Sequence, residues 1–289
     1  MKPRRFDYAR PDSVAEALAL LAEYGEDAKV LAGGQSLMAM LNLRLLEPAL
    51  LIDIARLAEL DTIKMVGDKV EVGAAVTQSR LADWPELVGK LPLVAKALPF
   101  VGHFQTRNKG TVCGSVAHAD PSSEIPLTLA TLGGEVVLRS RRSTRTVAAA
   151  DFQRGMLTTA REPDELITAV RFPVQSGRRV AFREIARRHG DFAIIAIAVS
   201  VESATATTST NTSVSHGAEV VRVGVGGVAD RPAVRRIVID GPDAAKSAFE
   251  ALAWELEGYD DIHASARLRR NLLRRVGPAV VEEALQCAA

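Results

Sequence analysis

The most informative stretch of the sequence is Phe104-Gln-Thr-Arg-Asn-Lys-Gly-Thr-Val-Cys-Gly-Ser-Val-Ala-His-Ala-Asp-Pro-Ser-Ser-Glu-Ile-Pro126. No part of it keeps the period of a strand or of an amphipathic helix, so the pattern predicts an irregular loop. Its small residues gather at Gly110, Thr111, Gly114 and Ser115. Little side chain separates the backbone from a ligand there, and backbone N–H groups with nearby hydroxyls suit an anion.

A second loop of the same chemistry comes earlier in the chain. The short apolar run Lys29–Leu31 leads into Ala32-Gly33-Gly34-Gln35-Ser36, and a helical pattern runs from Leu37 to Leu46. This order, in which a strand, a glycine pair and a hydroxyl precede a helix, is the layout in which backbone amides and a helix N-terminus hold a phosphate. The loop matches neither the Walker pattern nor the three-glycine dinucleotide fingerprint. Two such loops, distant in sequence, indicate a pyrophosphate held from both sides.

Each loop also has a simpler interpretation. A tight strand-to-helix connection with Ser36 as N-cap explains Gly33–Ser36 without a ligand. An ordinary surface turn explains Gly110–Ser115. The occurrence of both loops in one chain favours the ligand site over two unrelated turns.

Composition and length limit the classes of protein that fit. The chain has 289 residues, 47% hydrophobic and 25% charged, which is enough for two domains of ordinary globular composition. Aromatic residues make up only 4% and the net charge is +1, which argues against nucleic-acid binding. Two cysteines are too few for a disulfide scaffold or an iron–sulfur site. No signal-peptide pattern or membrane-length apolar run is present in the sequence, so we expect a cytoplasmic protein.

The order of elements predicts a mixed helix and sheet protein. The first fifty-odd residues read as a β-α-β-α-β unit, and Gln175–Gly177 is the best candidate linker. The Ser- and Thr-rich segment 203–215 reads as an exposed hairpin tip. The tail 244–285 reads as helical, with breaks at Gly258 and at Gly277-Pro278.

Four motifs in order along nearly the whole chain resemble the FAD-binding medium subunit of molybdenum hydroxylases. The family is the carbon monoxide dehydrogenase, quinoline oxidoreductase and nicotine dehydrogenase type. The four matching segments are Ala32–Leu37, Arg107–Ser115 with Ala117–Pro121, Arg187–Ala193 and Asp261–Arg267.

The resemblance implies an α+β fold of the vanillyl-alcohol-oxidase (PCMH) type. It implies a FAD-binding domain over residues 1–176, made of two α/β subdomains at about 1–56 and 57–176. A smaller C-terminal flavoprotein domain of the carbon monoxide dehydrogenase type follows at 177–289, an α/β domain with an antiparallel sheet and helices.

The resemblance also implies the role of an electron-transferring subunit. Its FAD would take electrons from two [2Fe–2S] clusters in a small partner subunit and pass them to an external acceptor. A large subunit would carry a molybdenum cofactor of the molybdopterin cytosine dinucleotide type, and the complex would be a dimer of heterotrimers. No His, Glu or Tyr is placed by the sequence as a substrate acid or base, so we expect no catalytic residue in this chain.

The family pattern assigns a set of cofactor-binding residues. Both glycine loops would contact the FAD pyrophosphate, Glu124 a ribose hydroxyl and Phe192 a face of the isoalloxazine, with Arg183 as a nearby basic group. For Glu124 a helix-start carboxylate is a comparable explanation, and for the segment around Phe192 a plain turn between two strands is one. The full set is Ala32, Gly33, Gly34, Gln35, Ser36, Leu37, Val101, Gly110, Thr111, Val112, Cys113, Gly114, Ser115, Asp120, Glu124, Leu166, Arg183, Asp191 and Phe192.

Two residues depart from the family pattern, and one pair of residues resembles a metal site without completing it. Cys113 stands where relatives usually have a glycine, so its side chain must point away from the pyrophosphate. Gln35 stands where histidine is common. His118 and Asp120 lack further ligands at a metal-site spacing, so we expect no metal.

Two rival functions remain open on the sequence alone. A self-contained flavin oxidase of the same fold would oxidise an organic substrate without partners. A non-catalytic nucleotide-binding protein would carry no flavin.

Overall fold

The computed structural model describes residues 2–202 and 218–287, and these form two compact units. The first unit comprises Met1–Trp84, His103–Ala119 and Gly134–Pro173, and the second comprises Pro85–Gly102, Asp120–Gly133 and Val174–Ala289. The predicted domain boundary after residue 176 stays a prediction. The predicted hairpin tip at 203–215 lies outside the described residues. In the described ranges no helix combines the length and the apolar character that crossing a membrane requires.

The N-terminal part of the first unit is the predicted β-α-β-α-β arrangement. Its elements are β1 (Asp7–Ala9), α1 (Val14–Tyr24), β2 (Ala28–Leu31), α2 (Leu37–Asn42) and β3 (Leu50–Asp53). The three strands are parallel in the order β1-β3-β2. Ser13 caps α1 by accepting a hydrogen bond from the Glu16 N–H, and Gly25 ends it with a φ of 53°.

An antiparallel sheet forms the rest of the first unit, with β10 at its centre. Its strands have the order β4-β5-β10-β6-β7, and α7 packs against β5 and β10. The bounds are β4 (Ile63–Val66), β5 (Lys69–Gly73), α3 (Gln78–Ala82), α6 (Phe104–Lys109), α7 (Val112–His118), β6 (Glu135–Arg139), β7 (Thr144–Ala148), α9 (Ala149–Phe152), β8 (Gln153–Gly155), β9 (Thr158–Thr159) and β10 (Leu166–Pro173).

The second unit is one antiparallel sheet with helices on both faces. The strand order is β11-β12-β13-β14. The elements are α4 (Leu87–Lys90), α5 (Pro92–Ala97), α8 (Glu124–Leu132), β11 (Val180–Ile185), β12 (Ile195–Val201), β13 (Glu219–Gly226), β14 (Ala233–Ile239), α10 (Ala244–Glu255) and α11 (Ala266–Gln286). One face packs on α10 and α11 through a core that includes Ile197, Val223 and Phe249. The other carries α8, which fits because β13 has Gly224 and Gly226 where the helix crosses.

The prediction of an irregular loop over 104–126 was wrong. Two short helices, α6 and α7, occupy most of it, and α8 begins inside it. Each of the two is under two turns long, so neither shows a repeated apolar period in the sequence. Thr111 starts α7 as its N-cap, a signal that the small residues around it obscured.

Two helix ends also differ from the sequence prediction. Helix α2 ends at Asn42 and not at Leu46, because Arg44 takes a left-handed conformation with a φ of 57°. Helix α11 runs unbroken through Pro278 to Gln286. Gly277 lets this helix lie against the ring of Phe249, since a Cβ there would come within 2.6 Å of Phe249 Cγ.

Candidate functional site

The first glycine loop joins β2 to α2. Gly34 has a φ of +70°, a conformation that glycine adopts without steric cost. Ser36 occupies the N-cap position of α2, but its side chain makes no capping hydrogen bond. The structure therefore does not support the interpretation of Ser36 as a capping residue, and its half-buried hydroxyl is not committed to the helix.

The second glycine loop joins α6 to α7. Thr111 Oγ1 accepts a hydrogen bond from the Gly114 N–H at 2.9 Å, so that N–H group serves the helix cap. The Thr111 hydroxyl keeps its own hydrogen for donation. Ser115 lies half-buried in the first turns of α7.

The two loops are in direct contact. On Gly33, the position of a Cβ falls against the carbonyl oxygen of Lys109 and 2.7 Å from Gly110 Cα. Only glycine permits this approach, because any side chain at 33 would occupy the backbone of the second loop. Residues that are about 75 positions apart in sequence therefore form one small-residue surface. The pyrophosphate contact itself stays a prediction.

Cys113 points away from this surface and into the first unit's core. Its side chain is 2% exposed, and Sγ donates to the Val72 carbonyl oxygen on β5 at 3.5 Å. Burial raises the pKa of the thiol far above its ordinary value, so it stays protonated and unreactive. Val112 and Leu166 are buried in the same unit. Within the described chain, Cys113 acts as a small hydrophobic residue.

The remaining predicted residues lie in the second unit. Val101 is buried after a 3-10 turn, and Asp120 Oδ1 begins a turn by accepting from the Ser122 N–H at 2.8 Å. Arg183 pairs with Glu283 on α11 at 2.7 Å. Asp191 and Phe192 are exposed in the turn before β12.

Two carboxyl groups of the second unit share one buried environment. Glu184 lies opposite Ala196 in the β11–β12 pair, and Ala196 lies opposite Gly226, which is in contact with the start of α8. Glu124 is the first residue of α8 and is 7% exposed. Glu184 Oε2 is buried without a hydrogen-bond partner in the described ranges.

Burial is the main reason why the pKa values of both carboxyl groups are raised. It raises the pKa of Glu124 to about 7, with a smaller contribution from Asp120. Burial and the neighbouring Glu124 raise the pKa of Glu184 to about 8. At pH 7 the pair therefore holds between one and two protons.

Glu184→Gln should make the stability of the chain less dependent on pH. The unfolded chain releases these protons near pH 4.5, whereas the folded chain keeps them up to about 7 and about 8. Their contribution to stability is complete below pH 4.5 and is lost as the pH rises to about 8. Melting temperatures from pH 5 to 9 should fall less steeply in Glu184→Gln than in wild type. Glu283→Gln, which alters an exposed ion pair, is the control, and parallel curves for wild type and Glu184→Gln would contradict the expectation.

Three buried or half-buried polar residues were not predicted from the sequence. They are Gln78, Glu184 and Arg269. Glu184 carried a weak signal, because it is a charged residue in an otherwise largely apolar strand, β11. Gln78 and Arg269 carried none, since their roles depend on elements distant in sequence. No group of His, Cys, Asp or Glu in the described ranges has an arrangement that could hold a metal ion.

The fold and the paired loops match a known family. Residues 4–175 match the family model of the FAD-binding domain in molybdopterin dehydrogenases, which is more than half of the chain. The chain therefore belongs to this family of flavoprotein oxidoreductases.

Two curated relatives and a solved structure support this assignment, one relative and the structure over nearly the whole chain and the other relative over two thirds of it. The chain is 35% identical to the nicotine 6-hydroxylase medium subunit of Paenarthrobacter nicotinovorans, covering 98% of this chain and 99% of that one. It is 42% identical to the caffeine dehydrogenase subunit beta of a Pseudomonas species over 67% of this chain and 66% of that protein. A structure of carbon monoxide dehydrogenase from Hydrogenophaga pseudoflava matches with a TM-score of 0.89 at 31% identity, covering 100% of both chains.

These comparisons confirm several predictions made from the sequence. The family, the α+β fold, the oxidoreductase class, the cofactor FAD and the role of medium subunit in a molybdenum hydroxylase are confirmed. The individual cofactor-binding residues stay predictions.

Proposed function

We propose that this chain holds the pyrophosphate of FAD at its paired glycine loops and passes electrons from a partner's iron–sulfur clusters to an external acceptor. The observation that carries the proposal is the contact of Gly33 with Lys109 and Gly110. It joins two loops that were each predicted to bind an anion.

The residues at the loops fit such a group. Backbone N–H groups of the first loop and the Ser36 hydroxyl would donate to phosphate oxygens, and the Thr111 hydroxyl would donate from the second loop. The close contact at Gly33 fixes the spacing between these donors. Bound FAD supplies the exchange of one or two electrons, and the protein supplies position and electrostatics.

The other predicted contacts belong to the same proposal. The other residues that the family pattern assigns to FAD stay predicted contacts, which are Leu166 in the first unit and Val101, Asp120, Glu124, Arg183, Asp191 and Phe192 in the second. Glu124 would accept from a ribose hydroxyl, a role that its buried carboxyl group supports. Phe192, 56% exposed, has the accessible ring that an isoalloxazine neighbour needs.

We further propose two partner chains and an arrangement for them. A large subunit would carry the molybdenum cofactor of the molybdopterin cytosine dinucleotide type, and a small subunit two [2Fe–2S] clusters, in a cytoplasmic dimer of heterotrimers. The names of the relatives support membership of a complex, since they are named as subunits. This favours the proposal over a self-contained oxidase, which would oxidise an organic substrate as a lone chain.

The purified full-length chain should be yellow and should release FAD, not FMN, on acid precipitation. Two loops suited to a pyrophosphate require the dinucleotide, because FMN has only one phosphate. Chromatography of the supernatant identifies the released flavin. A colourless chain that takes up no added FAD would contradict the cofactor proposal, and colour left in the pellet would indicate a covalent bond and favour the oxidase.

A further inference from the structure

The segment Val76–Gln78 holds the second glycine loop by backbone hydrogen bonds. The Val112 N–H donates to the Val76 carbonyl oxygen at 3.1 Å, and the Gln78 N–H donates to the Gly110 carbonyl oxygen at 2.8 Å. Thr77 and Thr111 form an isolated antiparallel bridge between these two contacts. The position of the loop is therefore set by its contacts with this segment and with Gly33.

The side chain of Gln78 is buried against the same loop. It is 5% exposed, and its Oε1 lies 3.2 Å from the position of a Cβ on Gly110. This oxygen has no hydrogen-bond partner in the described part of the chain. A buried acceptor without a donor lowers stability, so proteins rarely keep one unless a water or ligand satisfies it.

We propose that Gln78 is a further binding residue of the dinucleotide site, whose Oε1 accepts a hydrogen bond from an O–H group that arrives with the bound cofactor. The donor is a hydroxyl of the cofactor or a water ordered by it. The inference rests on the proposed function. In the chain without cofactor the amide is an unsatisfied group, and binding supplies its partner.

This role predicts opposite effects of one substitution on stability and on affinity. Gln78→Met keeps the length of the side chain and removes the polar atoms. The melting temperature of the chain without FAD should rise, because an unsatisfied buried group is gone. Its affinity for FAD should fall about tenfold, the effect of one hydrogen bond. A purely structural role would lower both.

Gln175→Met is the matched control. Gln175 is a second-unit glutamine that is 2% exposed and also has an unsatisfied Oε1, while its Nε2 donates to Ser200 Oγ at 3.4 Å. Its replacement should leave the affinity for FAD unchanged. Gln78→Glu is a second variant, which keeps the shape and adds negative charge beside the loop. It should weaken FAD binding more than tenfold, and less so at high salt.

Titration of full-length chains with FAD and with ADP, followed by fluorescence and calorimetry, tests the inference. A loss in Gln78→Met for both ligands supports it and places the O–H donor on the adenosine diphosphate part or its water. A loss for FAD alone also supports it, with the donor on the flavin side. Equal affinities in wild type and Gln78→Met overturn the inference and leave the proposed function intact. A wild-type chain that takes up no FAD overturns both.

Discussion

Gly33→Ala should abolish the retention of FAD during purification. The new methyl group would fall against the carbonyl oxygen of Lys109 and 2.7 Å from Gly110 Cα. Both are backbone atoms, so the two loops must separate for the methyl group to fit. Overpacking of this kind costs about 1–3 kcal/mol. Since the distance between the loops sets the proposed pyrophosphate site, we expect the affinity for FAD to fall by about a hundredfold.

The ratio of flavin to protein absorbance measures this effect, together with the melting temperature of the chain without FAD. Gly89→Ala is the control, because the space around Gly89 is open and the residue lies in α4. Alanine there should stabilise the helix by about 0.5–1 kcal/mol and leave the flavin content unchanged. A full complement of FAD in Gly33→Ala would show that the paired loops are not part of the FAD site.

Arg269→Met should destabilise the second unit by about 2–6 kcal/mol, since a buried acceptor left without a donor costs about 1–3 kcal/mol and this substitution leaves the buried carbonyl groups of Ile194 and Gly227 without one. Arg269 is 1% exposed. Its Nη1 donates to the carbonyl oxygens of Ile194 at 2.6 Å and Gly227 at 2.5 Å, and its Nη2 donates to Asp261 Oδ2 at 2.6 Å. Methionine leaves all three acceptors without this donor.

Urea denaturation followed by circular dichroism measures the loss. Arg269→Lys should recover little of it, because one ammonium group cannot reproduce a planar fork aimed at three acceptors. Arg274→Met on the same helix is the control, since it breaks only a pair with Glu250 on the surface, for which about 0–1 kcal/mol is typical. A similar small loss in Arg269→Met would show that water replaces the guanidinium.

Local sequence signals predicted the order of elements in the first fifty residues, although not the end of α2. Ser13 as a cap, the apolar stripe of α1 and Gly25 as its end each act within one turn of helix, so they can be read without the rest of the fold. The position of the first glycine loop followed from the same kind of signal. The individual cofactor-binding residues came from the family resemblance and not from such local signals, and they stay predictions.

Local sequence signals failed where helices are short, and where contacts between segments distant in sequence determine the structure. Helices α6 and α7 are too brief to display a period, and their caps lie among residues that also suit a loop. Helix α11 continues past Pro278, whose missing N–H costs one hydrogen bond, because packing of Gly277 against Phe249 fixes that part of the helix. The contacts of Gln78 with Gly110 and of Arg269 with Ile194 join segments that no local pattern relates.

The placement of α8 has a consequence for synthesis on the ribosome. Every residue of this helix is buried, and its neighbours β12 and β13 begin only at Ile195 and Glu219. At about 5–20 residues per second, the roughly 90 residues between α8 and β13 take on the order of 5–20 seconds to emerge. During that time α8 can pack on α5, which precedes it in the chain, but the surface that it turns to β12 and β13 has no native partner. That apolar surface stays uncovered, or in provisional contacts, until the last third of the chain has been translated.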